Sequence, residues 1–254
     1  MTGIGSEIDA RAIAAGMAGD LADMTAAILA GGLGTRLRSV VADRPKALAE
    51  VRGRPFLAHQ LDILMAAGVQ SVVLCTGYLG DQIEAAFGDA YGSMRLTYSR
   101  ESAPLGTAGA LRLALPLLQS DPVLVLNGDS ICRTDLKSFW EWHRAAGAAA
   151  SLLLMEVSDD RRYGRVQIDE LGGVIGFVEK GQQSGPGWVN AGVYLLGHQV
   201  LQAIPAGEIV SLERDVFPLW AGRGLCGYRV QGAFLDIGTP ETYAVADEFV
   251  TCDR

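Results

Sequence analysis

The feature that most constrains this chain is a short apolar run, residues 26–30, that ends in the glycine-rich segment GGLGTR. A few aliphatic residues followed by glycines are typical of a buried strand that runs into a tight loop. Because glycine has no Cβ, backbone N–H groups in such a loop can approach a phosphate closely. The segment therefore predicts a strand followed by either an anion-binding loop or an ordinary strand-to-helix turn.

The loop matches neither of the best-known phosphate-binding patterns. It lacks the Gly-Lys-Ser/Thr ending of a Walker loop, and Leu37 stands where a dinucleotide-binding fingerprint has its third glycine. A Walker-type NTPase and a dinucleotide-dependent dehydrogenase are therefore disfavoured.

Composition limits the classes of function further. The chain has 254 residues, of which 49% are apolar and 20% charged, so it can bury a sizeable core in one or two domains. A net charge of -8 argues against nonspecific nucleic-acid binding. We see no long apolar run and no secretory signal, so we expect no membrane association. The four cysteines are widely spaced, which favours free thiols and a cytoplasmic protein.

The apolar pattern predicts an α/β fold. The runs at 26–30, 71–76 and 122–126 have the features of buried parallel strands, and a helical pattern that stops at Gly68 lies between the first two. In such sheets ligands bind beyond the carboxyl ends of the strands, where the glycine loop and Asp129 both fall. Further strands are predicted after residue 150, and a helical stretch at 211–220. We expect a Rossmann-like mixed, mostly parallel sheet flanked by helices.

Six segments occur in the order that is typical of one family. They are GGLGTR with Lys46 ten residues after Arg36, LGTAGAL, VLVLNGDS, FVEK, WVNAGVYLL and FLDIGTPETY. Together they resemble the signature of the sugar-1-phosphate nucleotidylyltransferases. The resemblance implies the nucleotide-diphospho-sugar transferase fold over 25–254, with a nucleotide half at about 25–150, a sugar half at about 151–245 and no C-terminal β-helix. Residues 1–24 are expected to form an N-terminal extension, either a short docking helix or a frayed segment.

The resemblance also implies a reaction: a sugar 1-phosphate attacks the α-phosphorus of a nucleoside triphosphate and pyrophosphate leaves. Because two polyanions must meet, the site needs cations and backbone amides. Arg36 is expected to hold the β- and γ-phosphates at a loop that enters a helix N-terminus. Lys46 is expected to bridge the α-phosphate and the sugar phosphate, and Lys180 to bind the sugar phosphate from the opposite wall. The sequence reads EKG where many relatives have EKP, so we expect a more mobile loop after Lys180.

The resemblance assigns the remaining site residues to three sets. The Mg²⁺ ligands are Asp129 and Asp236, since this ion prefers a few carboxylate oxygens and completes its shell with water and phosphate. The nucleotide-binding set is Gly31, Gly32, Gly34, Thr35, Gln82, Leu105, Gly106 and Thr107. The sugar-binding set is Gly164, Glu179, Asn190 and Glu213. Structural roles stay open for some of them, namely a turn residue at Asp129 or Asn190, a surface helix residue at Gln82, and a helix cap or surface residue at Glu213.

Within the family, LNGDS and SLERDVFP look most like the D-glycero-D-manno-heptose 1-phosphate guanylyltransferases, with the mannose-1-phosphate guanylyltransferases next. This resemblance implies GTP as the donor and a heptose 1-phosphate as the acceptor. Two alternative functions stay open. The chain could be a UTP- or dTTP-dependent hexose-1-phosphate enzyme, or a non-catalytic regulatory subunit that binds sugar nucleotides. The presence of both phosphate lysines and both aspartates argues against that subunit. A homo-oligomer is compatible with the sequence.

Overall fold

The computed structural model describes residues 20–158, 164–179, 181 and 185–251. The predictions for Lys180 and for residues 1–19 therefore concern parts of the chain outside the described residues. In the described part, no helix is both long and apolar enough to cross a membrane. Cys75, Cys132 and Cys226 are free thiols, as the cysteine spacing predicts.

Fourteen strands are described. In chain order they are β1 Thr25–Leu29, β2 Glu50–Val51, β3 Arg54–Pro55, β4 Ser71–Thr76, β5 Ala90–Tyr91, β6 Met94–Arg100, β7 Val123–Asn127, β8 Ser130–Cys132, β9 Ala150–Val157, β10 Arg165–Ile168, β11 Val174–Val178, β12 Gly187–Leu196, β13 Leu225–Val230 and β14 Phe234–Asp236. Ten of them form one sheet, in the order β11-β10-β12-β7-β1-β4-β6-β5, with β9 paired to both β12 and β13.

The helices lie between these strands. The α-helices are α1 Phe56–Ala66, α2 Gly80–Phe87, α3 Gly106–Ala114, α4 Leu136–Ala146, α5 His198–Gln202, α6 Phe217–Trp220, α7 Pro240–Ala244 and α8 Ala246–Thr251. Short 3₁₀ turns occur at Leu21–Asp23, Lys46–Leu48 and Leu115–Leu117, and a π-helical turn at Leu212–Val216 precedes α6. The helical stretch predicted at 211–220 thus consists of two pieces.

The centre of the sheet is parallel, as predicted. Strand β1 pairs in parallel with β4 and β7, and β4 pairs in parallel with β6. Ala26, Ala27 and Ile28 of β1 have no exposed surface, because both faces of the strand are covered. This two-sided burial accounts for the continuous apolar runs in the sequence. Ligands in such a sheet bind beyond the carboxyl ends of the strands, here beyond Leu29 and Asn127.

Strand β12 joins the two halves of the chain in one sheet. It pairs antiparallel with β7 from Val193 to Leu196, and with β9 over most of its length. The sheet therefore continues from the strands that follow the glycine loop into the strand-rich part after residue 150. The parts of the chain before and after residue 150 therefore share one sheet.

The segment after the glycine loop differs from the prediction, because it does not enter a helix. Residues 35–40 form hydrogen-bonded turns, in which Leu37 N–H donates to the Gly34 carbonyl and Val40 N–H to the Leu37 carbonyl. Leu37 is 1% exposed and packs in a small apolar cluster with Phe56 and Leu235. The buried leucine anchors the segment, which must turn back before it can bring Lys46 to the loop. The helix prediction at this point is wrong.

Candidate active site

A cleft of about 360 Å³ opens at the carboxyl ends of β1 and β7. Its lining includes most of the predicted nucleotide-binding residues and two of the three cations expected to bind phosphates. The lining residues that the sequence had singled out are Gly31, Gly32, Gly34, Thr35, Arg36, Lys46, Gly106, Thr107 and Asp129. The fold therefore brings together distant segments of the chain, because the lining runs from Leu29 to Gly238.

Each glycine position of the loop has a different structural reason for being glycine. No atom lies within 4 Å of the position that a Cβ on Gly32 would take, so its backbone faces open space. Gly34 has a φ of +60, which favours glycine. At Gly31 a Cβ would lie only 2.9 Å from Oε1 of Glu101. Gly31 therefore makes room for the Glu101 side chain, whereas Gly32 leaves its backbone accessible to a ligand.

Lys46 lies between the two predicted metal ligands. Its Nζ is 2.7 Å from Oδ2 of Asp129 and 3.9 Å from Oδ1 of Asp236. The lysine side chain is only 12% exposed, so its ammonium is held in a fixed place on the wall of the cleft. A cation and two carboxylates thus meet where the glycine loop meets the end of β7. The structure brings these three predicted residues into one cluster.

Strand pairing explains how Asp129 and Asp236 come together. Strands β8 and β14 pair antiparallel, with Asp236 opposite Ser130, and the Ile237 N–H donates to the Asp129 carbonyl at 2.9 Å. The Gly238 N–H donates to Oδ1 of Asp236 at 2.5 Å. Burial raises the pKa of the Asp236 carboxyl above its ordinary value, and the nearby Asp129 charge raises it further, whereas Lys46 lowers it.

The donor chemistry of this cluster fits a hard divalent cation bound together with phosphate. Among the described residues, no three or more His, Cys, Asp and Glu side chains form a group that could hold a metal ion. Asp129 and Asp236 supply carboxylate oxygens, and one ammonium does not neutralise both charges. Mg²⁺ is commonly bound by one or two carboxylates plus phosphate oxygens, so two aspartates are sufficient in the presence of a nucleotide.

Gln60 holds the turn that carries Asp129. This α1 side chain is 1% exposed, and its Nε2 donates to the carbonyls of Asn127 and Ser130, both at 2.8 Å. These two carbonyls lie on either side of the Gly-Asp pair, so one amide group fixes both ends of the turn. This role could not be predicted from the sequence, because no local pattern distinguishes Gln60 from the other polar residues of this helix.

The predicted nucleobase segment is shaped mainly by its packing against residues 208–210. The N–H of Leu105 donates to Oε2 of Glu101, and its carbonyl accepts a bond from Val210, so both backbone groups are already paired. Gly106 has a φ of +75, and a Cβ there would lie 2.5 Å from the Val210 carbonyl oxygen. Close packing of this kind requires glycine whether or not a base is bound. The backbone N–H groups of Gly106 and Thr107 remain the better candidates for base contacts.

Gln82 lies outside the main cleft. It is an exposed residue of α2, and its Nε2 donates to the Asp43 carbonyl at 3.3 Å. It lines a separate surface depression with Arg44 and Glu50. The structure therefore does not bring Gln82 together with the other predicted nucleotide-binding residues, and its placement agrees with a surface helix residue.

The predicted sugar-binding residues fall into two pairs. Gly164 and Glu179 are exposed and flank the antiparallel pair β10–β11, in which Arg165 lies opposite Val178. Asn190 and Glu213 are half-buried and both contact the hydroxyl of Tyr194, at 2.9 and 3.3 Å.

Glu213 is therefore part of a polar network and not a surface residue. Ser211, not Glu213, caps the helical turn, because its hydroxyl accepts a bond from the Arg214 N–H.

Two further residues of the site were not predicted from the sequence. Glu101 lines the cleft and is partly buried, which raises the pKa of its carboxyl. Its only sequence signal is that it comes shortly before the glycines of LGTAGAL. Tyr194 has no exposed surface and lies within the apolar run of β12, where its hydroxyl could not be distinguished from ordinary core packing.

The chain belongs to the nucleotidyl transferase family, whose sequence profile matches residues 25–252. Two relatives are enzymes of this class with defined substrates. The D-glycero-alpha-D-manno-heptose 1-phosphate guanylyltransferase of Aneurinibacillus thermoaerophilus is 36% identical over 226 residues, which cover 89% of this chain and 97% of the relative. The mannose-1-phosphate guanylyltransferase of Mycobacterium tuberculosis is 38% identical over 86% of this chain, which spans only 62% of that relative.

A solved structure supports the fold. HddC from Yersinia pseudotuberculosis, crystallised in complex with GMP-PN, superimposes with a TM-score of 0.78 at 34% sequence identity. The match covers 89% of this chain and 98% of HddC. The α/β fold with a mixed sheet and a parallel centre is therefore confirmed.

We predict that replacing Gln60 by methionine will destabilise the protein because the carbonyls of Asn127 and Ser130 lose their donor. Each buried carbonyl left unpaired costs about 1–3 kcal/mol. Oε1 of Gln60 is itself buried without a partner, so its removal offsets part of this cost. The expected net loss in the free energy of unfolding is about 1–3 kcal/mol, measured by equilibrium denaturation.

The matched control is Leu64→Met, a volume-conserving change at another buried position of the same helix, which should cost less than about 1.5 kcal/mol. If Gln60→Met were no more destabilising than this control, the glutamine would not hold the turn.

Proposed function

We propose that this chain transfers GMP from GTP to a sugar 1-phosphate, with D-glycero-α-D-manno-heptose 1-phosphate as the preferred acceptor, and releases pyrophosphate. The observation that carries this proposal is the position of the Lys46 ammonium between Asp129 and Asp236, beside the glycine loop. A cation, two carboxylates and accessible loop amides form the set of groups that a nucleotidyl transfer between two polyanions requires.

In the proposed reaction, the glycine loop and Arg36 bind the triphosphate. Gly32 leaves its backbone open to the cleft, and the exposed guanidinium of Arg36 lines the same cavity. Arginine suits this position because its planar donors bind phosphate oxygens in pairs. The charge that develops on the leaving pyrophosphate would therefore be stabilised where the loop meets solvent.

Lys46 would bind the α-phosphate and the incoming sugar phosphate in the same reaction. A lysine is a compact charge on a flexible stem, and its ammonium can exchange a carboxylate partner for a phosphate partner over a short distance. Lys180 would bind the sugar phosphate from the other side of the cleft, a role that rests on the sequence resemblance alone.

We propose Mg²⁺ as the cofactor, with Asp129 and Asp236 as its protein ligands. Bound there, the ion would neutralise phosphate charge and orient the phosphates for in-line displacement. The aspartates would hold the ion at the junction of β7 and the β8–β14 pair, and Gln60 would keep the Asp129 turn in place.

The choice of GTP and a heptose 1-phosphate is supported by the relatives. The heptose 1-phosphate guanylyltransferase of A. thermoaerophilus aligns over 97% of its own length, and HddC is a full-length structural match with a guanine nucleotide analogue bound. The second candidate acceptor is mannose 1-phosphate, because the mycobacterial enzyme named for it is 38% identical. GTP is the proposed donor for both candidate acceptors.

A donor-by-acceptor matrix tests the proposal. Pyrophosphate release should be measured with GTP, ATP, CTP, UTP and dTTP against the 1-phosphates of heptose, mannose, glucose and glucosamine. We expect GTP with heptose 1-phosphate to give the highest kcat/KM, and mannose 1-phosphate to be a poorer substrate.

Donor discrimination should exceed acceptor discrimination, since a wrong base leaves buried polar groups unpaired. A higher kcat/KM with UTP, dTTP or CTP for every sugar would rule out the guanylyltransferase. No pyrophosphate with any pair would favour a non-catalytic binding subunit.

We predict that Asp129→Asn and Asp236→Asn will each lower kcat by at least about 10²-fold while the protein stays folded. The double variant should lose less than the product of the two effects, because both residues would serve one ion. The control is Asp81→Asn, an exposed carboxylate paired with Arg100 outside the cleft, which should leave kcat unchanged. Normal turnover of the Asp129→Asn or the Asp236→Asn variant at saturating Mg²⁺ would remove that aspartate from the metal role.

A further inference from the structure

We propose that Tyr194 is a positioning residue for the sugar 1-phosphate: its buried hydroxyl holds Asn190 and Glu213 in place and joins them to the nucleotide cleft. This inference rests on the proposed function, because it concerns how the acceptor side of that site is built. It assigns a role to a residue of β12 that has no exposed surface and cannot touch a substrate itself.

The Tyr194 hydroxyl uses its complete hydrogen-bonding capacity. It accepts from Nδ2 of Asn190 at 2.9 Å and from Nδ2 of Asn127 at 3.2 Å, and it donates to Oε1 of Glu213 at 3.3 Å. A phenol has one proton and two acceptor sites, so three partners satisfy it fully. Burial raises the pKa of Tyr194 well above 10, and the Glu213 charge raises it further. The hydroxyl therefore keeps its proton and remains a donor to Glu213.

Glu213 is held from a second direction. Its Oε2 accepts bonds from the hydroxyls of Thr107 at 3.1 Å and Ser211 at 3.0 Å. The Thr107 hydroxyl in turn accepts from the Leu212 N–H at 2.8 Å. Three donors thus fix the carboxylate, although it lies on a short π-helical turn and not on a long helix.

The network connects the two halves of the site. Asn127 and Thr107 line the nucleotide cleft, whereas Asn190 and Glu213 are two of the four predicted sugar-binding residues. The ring of Tyr194 packs on Phe217, with centroids 5.2 Å apart, which locks its orientation. Because the Tyr194 hydroxyl is buried and makes all of its hydrogen bonds, the positions of Asn190 and Glu213 depend on this one group. A site that must orient a sugar needs this kind of support for the residues that touch it.

The central test is Tyr194→Phe, which removes one oxygen atom and keeps the ring. Asn127 and Asn190 then lose an acceptor, and Glu213 loses a donor. We expect the KM for the sugar 1-phosphate to rise about 10- to 100-fold, the range for loss of a hydrogen bond to a charged group. The dissociation constant for GTP, measured by calorimetry without sugar, should stay within about twofold. If the hydroxyl had only a structural role, its loss would not weaken the binding of the sugar 1-phosphate while leaving the binding of GTP unchanged.

The matched control is Tyr228→Phe, which removes a hydroxyl from another strand of the same sheet. The Tyr228 ring packs on Phe139 and Trp142, outside the network. We expect the KM for the sugar 1-phosphate and the dissociation constant for GTP to be unchanged. An unaltered KM for the sugar in Tyr194→Phe, or equal losses for both substrates, would overturn the positioning role.

A double-mutant cycle with Tyr194→Phe and Glu213→Gln tests the same arrangement without an assay of turnover. If the hydroxyl acts through Glu213, the loss in unfolding free energy from Tyr194→Phe should be smaller in the Glu213→Gln background. Additive losses would contradict the network. If the wild-type chain forms no pyrophosphate with any substrate pair, the proposed function fails, and this cycle still decides whether the hydroxyl and the carboxylate are coupled.

Discussion

The contact of the Lys46 ammonium with Asp129, with Asp236 less than 4 Å away, is the interaction on which the rest of this site depends. Burial raises the pKa of the Asp236 carboxyl, and the negative charge of the nearby Asp129 carboxylate raises it further. One ammonium offsets only part of the negative charge. The cluster is therefore suited to receive further positive charge, and a phosphate that draws Lys46 toward itself would leave the carboxylates free for a cation.

Much of the fold serves to hold this cluster. The parallel strands β1 and β7 deliver the glycine loop and the Asp129 turn to the same edge of the sheet, while the β8–β14 pair brings Asp236 from the far end of the chain. Gln60 fixes the turn through its two hydrogen bonds, and the small apolar cluster around Leu37 anchors the segment between the loop and Lys46. The strands, Gln60 and the Leu37 cluster that support the site are buried. The charged groups therefore have a defined geometry before a ligand binds, and the ligand does not have to order long side chains.

The sequence was sufficient to predict the strands of the sheet centre, because continuous apolar runs mark them, and to single out Lys46, Asp129 and Asp236 as site residues, because the ordered motifs contain them. The contact of Lys46 with the aspartates was not predicted. Prediction from the sequence failed at positions where tertiary packing determines the local structure. The glycine loop leads into turns because buried Leu37 overrides the helix expectation, and Gly106 is glycine because the Val210 carbonyl lies where a Cβ would be. Gln60 and Tyr194 read as ordinary helix and core residues, since a hydrogen bond between distant segments leaves no local pattern in the sequence.

The most direct test of this account is a crystal structure of the protein with Mg²⁺ and a non-hydrolysable GTP analogue. The account predicts an ion bound by both Asp129 and Asp236 at about 2.0–2.1 Å, with the Lys46 ammonium moved from Asp129 to a phosphate oxygen. The phosphates should lie against the backbone of the glycine loop. An ion that contacts neither aspartate, with Lys46 still paired to Asp129 and the phosphates away from the loop, would contradict it.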